Sequence, residues 1–215
     1  MKFRTLVPII LLPLVIHAQD PVSRNGPKIG LSMASQTSGG FLAWSGLPKF
    51  GPLGGWSFEV PLTYQISALI EPMYMSKGSY YMNGALKTSQ SISLSYLEIP
   101  LMLKISTNPD PQGLFLTGGF MYGYFIKGRV RSYYDGNLTS DYSFASPNGN
   151  SQFSVGLGVG SEKKNWMWEI RGQNSITPFD ILVRSHNIVF SAQLCWRFPL
   201  ERKKKKHGDE DDDGK

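Results

Sequence analysis

Asn187-Ile188-Val189-Phe190-Ser191-Ala192-Gln193-Leu194-Cys195-Trp196-Arg197-Phe198 alternates apolar with mostly polar side chains from end to end. Ile188, Phe190, Ala192, Leu194, Trp196 and Phe198 hold one parity; Asn187, Val189, Ser191, Gln193, Cys195 and Arg197 hold the other. Successive strand residues point to opposite faces, so a period of two predicts a strand with one apolar and one polar side. The pattern recurs upstream. Trp56, Phe58, Val60, Leu62, Tyr64 and Ile66 alternate with Ser57, Glu59, Pro61, Thr63 and Gln65, and Leu97, Ile99, Leu101, Leu103 and Ile105 with Glu98, Pro100, Met102 and Lys104. A strand from Leu114 places Phe115, Thr117, Gly119, Met121, Gly123, Phe125, Lys127 and Arg129 on one parity. Phe153, Val155, Leu157 and Val159 oppose Ser154, Gly156, Gly158 and Gly160, while Trp166, Trp168 and Ile170 face away from Glu169, Arg171 and Gln173. Weaker segments at 29–36 and 68–77, of ambiguous parity, bring the expected number of strands to eight. That number is even, as in single-chain bacterial barrels.

The connections form an independent pattern. In order they are a long Gly/Pro-rich loop (37–55), almost nothing near Ser67, a medium loop (78–90) and a short turn (108–112). A long Ser/Asn/Tyr-rich loop (132–150), a tight turn at Glu162-Lys163-Lys164 and a medium loop (174–185) follow. Long and short connections alternate, as in a membrane barrel with long loops outside and short turns in the periplasm.

The N-terminus points to export. Lys2 and Arg4 precede an apolar run from Leu6 to Ile16, and Ala18 supplies a small residue before Gln19. This is the layout of a cleaved secretory signal peptide, and the run is too short for a membrane helix. The expected organisation is a signal peptide at 1–18, a linker at 19–27, the barrel at 28–200 and a disordered charged tail at 201–215. The tail's six basic and six acidic residues cancel. Loss of Lys2 and Arg4 takes the formal charge from +6 to +4, a mild excess that selects no polyanion in particular. One cysteine, Cys195, excludes an intrachain disulfide and a cysteine-based zinc site.

A closed barrel satisfies its backbone without water, so its apolar parity can face lipid and its polar parity the lumen. With eight strands the interior is filled by side chains and leaves no free diffusion pore. The inner parity then carries Glu59, Glu71, Glu98, Lys104, Lys127, Arg129, Glu169, Arg171 and Arg197, read chiefly as a mutually satisfied ionic network, with a polar conduit as the alternative. Amphipathic rings belong at the membrane edges. Trp166, Trp168, Trp196 and Phe198 are expected at the periplasmic edge, and Trp56 at the opposite rim.

Leu69-Ile70-Glu71-Pro72-Met73-Tyr74-Met75-Ser76-Lys77-Gly78 and Ser95-Tyr96-Leu97-Glu98-Ile99-Pro100-Leu101-Met102-Leu103-Lys104 resemble paired strands of the PorT-type small outer-membrane β-barrel family. Gly118-Gly119 with Tyr122-Gly123-Tyr124 resembles that family's next strand. The resemblance, spanning roughly 28–198, implies an eight-stranded antiparallel up-and-down transmembrane barrel in a Bacteroidota-type envelope. It also implies that a type IX secretion or gliding apparatus is one context for the protein, and it carries over no catalytic residues.

Among histidines, His17 leaves with the signal peptide and His207 lies in the tail, so His186 beside Ser185 is the one candidate base, without a recognisable catalytic spacing. Gly156-Leu157-Gly158-Val159-Gly160 lacks the following helix of a phosphate loop; glycines there make room in a crowded lumen. Phe41, Leu42, Trp44, Leu47 and Phe50 of the first long loop either dock a partner or cover the barrel mouth. The expected protein is a monomeric, cofactor-free, non-enzymatic barrel. Its expected partners are outer-membrane lipid, lipopolysaccharide and envelope proteins, not nucleic acid. A small-solute channel and a soluble lipocalin-like binder are the competing readings.

Overall fold

The computed structural model describes residues 23–38, 46–108, 112–145, 151–178 and 185–199. Eleven strand segments occur among them: β1 (Arg24–Ser38), β2 (Leu47–Pro61), β3 (Ile66–Ile70), β4 (Met73–Asn83), β5 (Thr88–Ser106), β6 (Gln112–Tyr134), β7 (Asn137–Phe144), β8 (Gln152–Lys163), β9 (Trp166–Ser175), β10 (Ser185–Trp196) and β11 (Phe198–Pro199). They make one antiparallel sheet that closes on itself, because β1 pairs with β2 on one side and with β10 on the other. Eight staves form the ring. The third is β3 and β4 in line, interrupted at Glu71-Pro72, and the last is β10 continued by β11. Proline cannot donate to a ladder; here its carbonyl accepts from the Trp56 amide at 3.0 Å, and the Glu71 amide donates to the Pro100 carbonyl at 3.1 Å.

Facing follows the alternation. Leu101 is 55% exposed and its neighbour Met102 only 3%. Leu97, Ile99, Leu103, Ile105, Leu114, Leu116, Phe120, Leu157 and Ile170 also face outward. The inner wall carries the charges together with small apolar groups: Leu69, Met102 and Met121; Phe115, Met167 and Cys195; and Leu94, Tyr96 and Phe125. The apolar surface is therefore on the outside, the reverse of a water-soluble barrel.

The strands differ greatly in length. β9 has 10 residues and β8 has 12, close to the roughly 9–11 that a tilted strand needs to cross a bilayer. β5 has 19 and β6 has 23, and β7 extends the sheet by pairing with the far end of β6. One side of the wall thus stands well above the other. Three expected loops are largely strand for this reason. β2 already begins at Leu47, inside the expected loop 37–55. The expected loop 78–90 shrinks to a turn at 84–87, and most of the described part of 132–150 is the β6–β7 hairpin. The turn of that hairpin is Asp135-Gly136, with φ of 48° and 80°, the pair that a tight two-residue hairpin favours. The expected strand from Trp56 to Ile66 breaks at 62–65, where the Leu62 and Thr63 amides both donate to the Ile66 carbonyl.

Candidate functional site

Ten charged side chains are buried among the described residues, five basic and five acidic. They fall into three groups stacked along the lumen. Nearest the short turns, Lys104 Nζ meets Glu59 Oε1 at 2.9 Å and Glu162 Oε2 at 2.6 Å, and Arg197 bonds Glu59 and reaches Glu162 Oε2 at 3.3 Å. In the middle, Arg171 Nη2 sits 2.7 Å from both Glu71 Oε2 and Glu169 Oε2, while Lys28 Nζ is 2.6 Å from Glu71 Oε1 and 3.2 Å from Glu169 Oε2. Ser57 and Thr117 donate hydroxyls to the same two carboxylates. Toward the other end, Lys77 pairs with Glu98, whose carboxylate also accepts from Gln173 at 3.3 Å. Among the buried side chains each group is neutral, with two bases and two acids, two and two, one and one, and partly exposed Arg24 Nη1 lies 3.8 Å from Glu162 Oε1 at the edge of the first. A buried charge is tolerable only when paired and hydrogen-bonded, and each group meets that condition locally.

Space for the middle group comes from glycine. Gly158 faces inward between Thr117 and Arg171 in register, and a β-carbon there would lie 2.4 Å from Glu169 Oε1 and 2.5 Å from Thr117 Oγ1. Above the last ion pair the inner wall turns uncharged. Gln36, Gln152, Ser154, Asn174 and Asn187 are buried there, and each keeps a polar side-chain atom without a protein partner.

Of the residues assigned to the lumen by parity, Glu59, Glu71, Glu98, Lys104, Glu169, Arg171 and Arg197 all lie in these groups. Lys127 and Arg129 do not; both are exposed. Ser95 pairs with Lys127 but Tyr96 pairs with Phe125, so Ile126 is an extra residue in β6 and flips every side chain after it to the other face. Arg129 instead holds Asp141 of β7 through Nε at 2.7 Å and through Nη2. Parity missed Lys28, Lys77 and Glu162. Lys28 precedes the expected strand at 29–36, Lys77 ends an expected strand of ambiguous parity, and Glu162 falls in an expected turn that begins two residues later.

Trp166, Trp168 and Phe198 face outward near the short turns, with Trp196 packed edge-on against Trp166 at 4.2 Å between ring centroids. Trp56 is also outward but not at the opposite rim. Because β2 starts at Leu47, Trp56 lies in the half nearer the turn at 62–65, in register with Pro27, and its Nε1 donates to Asn25 Oδ1 at 3.2 Å. Outward aromatics of the other half include Tyr74, Tyr122 and Tyr124 together with Phe50 and Phe153. Leu47 and Phe50 are exposed on β2, and Phe41, Leu42 and Trp44 lie outside the described residues, as do the signal-peptide and tail segments.

His186 Nδ1 is 3.0 Å from the Ser175 carbonyl, which accepts its proton, so that nitrogen is committed to backbone rather than to a nucleophile. At the tall side of the rim a cleft of about 900 Å³ is lined by Leu47, Pro48, Tyr81, Gln90, Tyr134 and Thr139, among others.

A closed ring with an apolar outside and a polar, ion-paired inside defines the class as an integral outer-membrane β-barrel. The family model described as "Outer membrane protein beta-barrel domain" matches residues 19–180, and the chain belongs to that family. Among solved structures, the chain is similar to Ail, the attachment invasion locus protein of Yersinia pestis, in complex with the heparin analogue sucrose octasulfate. That likeness has a TM-score of 0.53 at 10% identity and covers 83% of this chain and 100% of Ail. It is also similar to Neisserial surface protein A, with a TM-score of 0.52 at 12% identity, covering 82% of this chain and 97% of that one. Both likenesses are of fold. No curated protein matches the chain.

Proposed function

We propose that the protein is a non-catalytic outer-membrane barrel that seals its own lumen and presents the raised sheet of β4, β5, β6 and β7 to envelope partners at the cell surface. The observation that carries this reading is the asymmetry of the wall. Strands of 19 and 23 residues stand beside strands of 12 and 10, and the excess builds a sheet with a cleft instead of widening the ring. A lumen occupied by neutral ion-pair groups supports a closed barrel over a solute channel. The likeness to Ail, whose structure was determined with the heparin analogue sucrose octasulfate, makes a polyanion a candidate partner to test. The resemblance to PorT-type barrels makes a secretion or gliding apparatus the first protein partner to test. Export through a signal peptide cut after Ala18 belongs to the same reading, and the mature chain is expected to begin at Gln19.

Site-specific photo-crosslinking in cells tests it. A crosslinker at Ser89 or Thr139, both lining the cleft, should give discrete adducts, and one at exposed Lys163 beside the short turn should not give the same ones. Rim positions without adducts, or adducts identical from both ends, would remove the raised sheet as the interaction surface.

A further inference from the structure

The extra residue in β6 leaves Lys127, Arg129 and Arg131 outside the wall instead of within it. They stand in register with Ser95, Ser93 and Ser91 of β5, three successive positions on one outer face. Lys49 of β2 reaches the same face, donating to Ser91 Oγ at 2.7 Å and to Ser93 Oγ. An irregularity in β2 places it there: Pro48 pairs with Ser79 and Leu53 with Met75, five steps against four. Four cations thus share a strip about 13 Å long, four residues at the usual strand rise. The acid among them is Asp141, which holds Arg129 and lies 3.4 Å from Arg131 Nε. Three positive charges remain uncompensated, and Lys127 has no acidic partner among the described residues.

What lies below the strip selects the ligand. Immediately toward the short turns, the same outer face becomes apolar: Leu97, Ile99 and Leu101 on β5, and Tyr124, Tyr122 and Phe120 on β6. Tyr74 marks the boundary, its hydroxyl 2.9 Å from Ser95 Oγ. A cationic, hydroxyl-rich strip directly above an apolar column matches a molecule with phosphate at one end and acyl chains at the other. Arginine and lysine bind phosphate through charge-assisted hydrogen bonds. A free, fully hydrated phosphate would gain nothing from the column.

We propose that Lys49, Lys127, Arg129 and Arg131 form an exterior binding site for the phosphate of a phosphorylated acyl glycolipid in the outer leaflet. This deepens the reading above by naming one lipid partner of the raised sheet, and it rests on that sheet facing the cell exterior.

The test uses the full barrel folded in a neutral detergent, with heat-modifiable migration as the check of folding. Mixed micelles carry either bisphosphorylated lipid A or the same lipid A after dephosphorylation, and retained lipid is counted by native mass spectrometry. The wild-type barrel should retain the phosphorylated form preferentially. The triple variant K127Q/R129Q/R131Q should retain on the order of tenfold less of it, and K163Q/K164Q, at the opposite end, should match wild type. Equal retention of the two lipids, or a folded triple variant that retains as much as wild type, would overturn the site. So would sucrose octasulfate binding the strip while the phosphorylated lipid does not. Loss of heat-modifiable migration in the wild type would instead strike at the barrel reading itself, so the two failures are distinguishable.

Discussion

Arg171 Nη2 lies 2.7 Å from two different carboxylates, and only 1% of the residue is exposed. Arg171→Gln would leave Glu71 and Glu169 with Lys28 alone, a net negative charge buried inside the wall. Removing one partner of a buried ion pair costs about 3–5 kcal/mol, so the variant's urea midpoint, followed by heat-modifiable migration, should fall sharply. Lys127→Gln should leave the stability within about 0.5 kcal/mol of wild type, as surface changes do. Gly158→Ala tests the space rather than the charge. Its methyl would press on Glu169 and Thr117, both locked in the middle group, and should cost about 1–3 kcal/mol as overpacking does. Seven of the ten buried lumen charges were legible in the sequence because alternation fixes the face once one strand is oriented. Lys77 was not, since its strand mixes small and polar residues on both parities, and Lys28 was not, since β1 begins before the expected start at 29. Charge balance was the unused signal. Four acids against five bases leave a buried set with one charge unmatched, and exchanging Lys127 and Arg129 for Lys28, Lys77 and Glu162 restores neutrality.

At the scale of the element, the same alternation becomes misleading wherever a strand gains a residue. β6 reads as one long strand, and nothing local to Ile126 announces that the pairing with β5 slips there; the bulge is a property of two strands together. β7 was more accessible. Asp135-Gly136 between Tyr134 and Asn137 is a hairpin signal inside what otherwise reads as a polar loop. The bond between Arg129 and Asp141 ties β7 to β6, and that hydrogen bond holds the Asp141 carboxyl below its ordinary range. A depressed acid stabilises the fold at every pH above its ordinary pKa, and the contribution fades as pH falls through the depressed value. The β6–β7 contact is therefore at full strength at neutral pH and weakens only in strong acid. A carbon-detected NMR titration should place the Asp141 midpoint below that of an unpaired aspartate, and Arg129→Gln should move it up toward that value. An unchanged midpoint in the variant would remove the bond as the cause.

For the whole molecule, the two four-membered groups make the proposed seal redundant. An ion crossing the lumen must displace the lower group of Glu59, Lys104, Glu162 and Arg197, then the middle group of Lys28, Glu71, Glu169 and Arg171. Either alone spans the interior of an eight-stranded ring, which is only wide enough for side chains. The wild-type barrel should therefore give no stable conductance steps in planar bilayers. Because each group is neutral, either can be deleted without leaving an unpaired charge in the other. E59S/K104S/E162S/R197S should still be silent, with the middle group intact. Adding K28S/E71S/E169S/R171S should produce steps, provided heat-modifiable migration shows a folded ring. Steps already present in the wild type would return the channel reading to the front. Steps after removal of the lower group alone would mean that the middle group is no seal, and that the lumen's ion pairs hold the wall together without closing it.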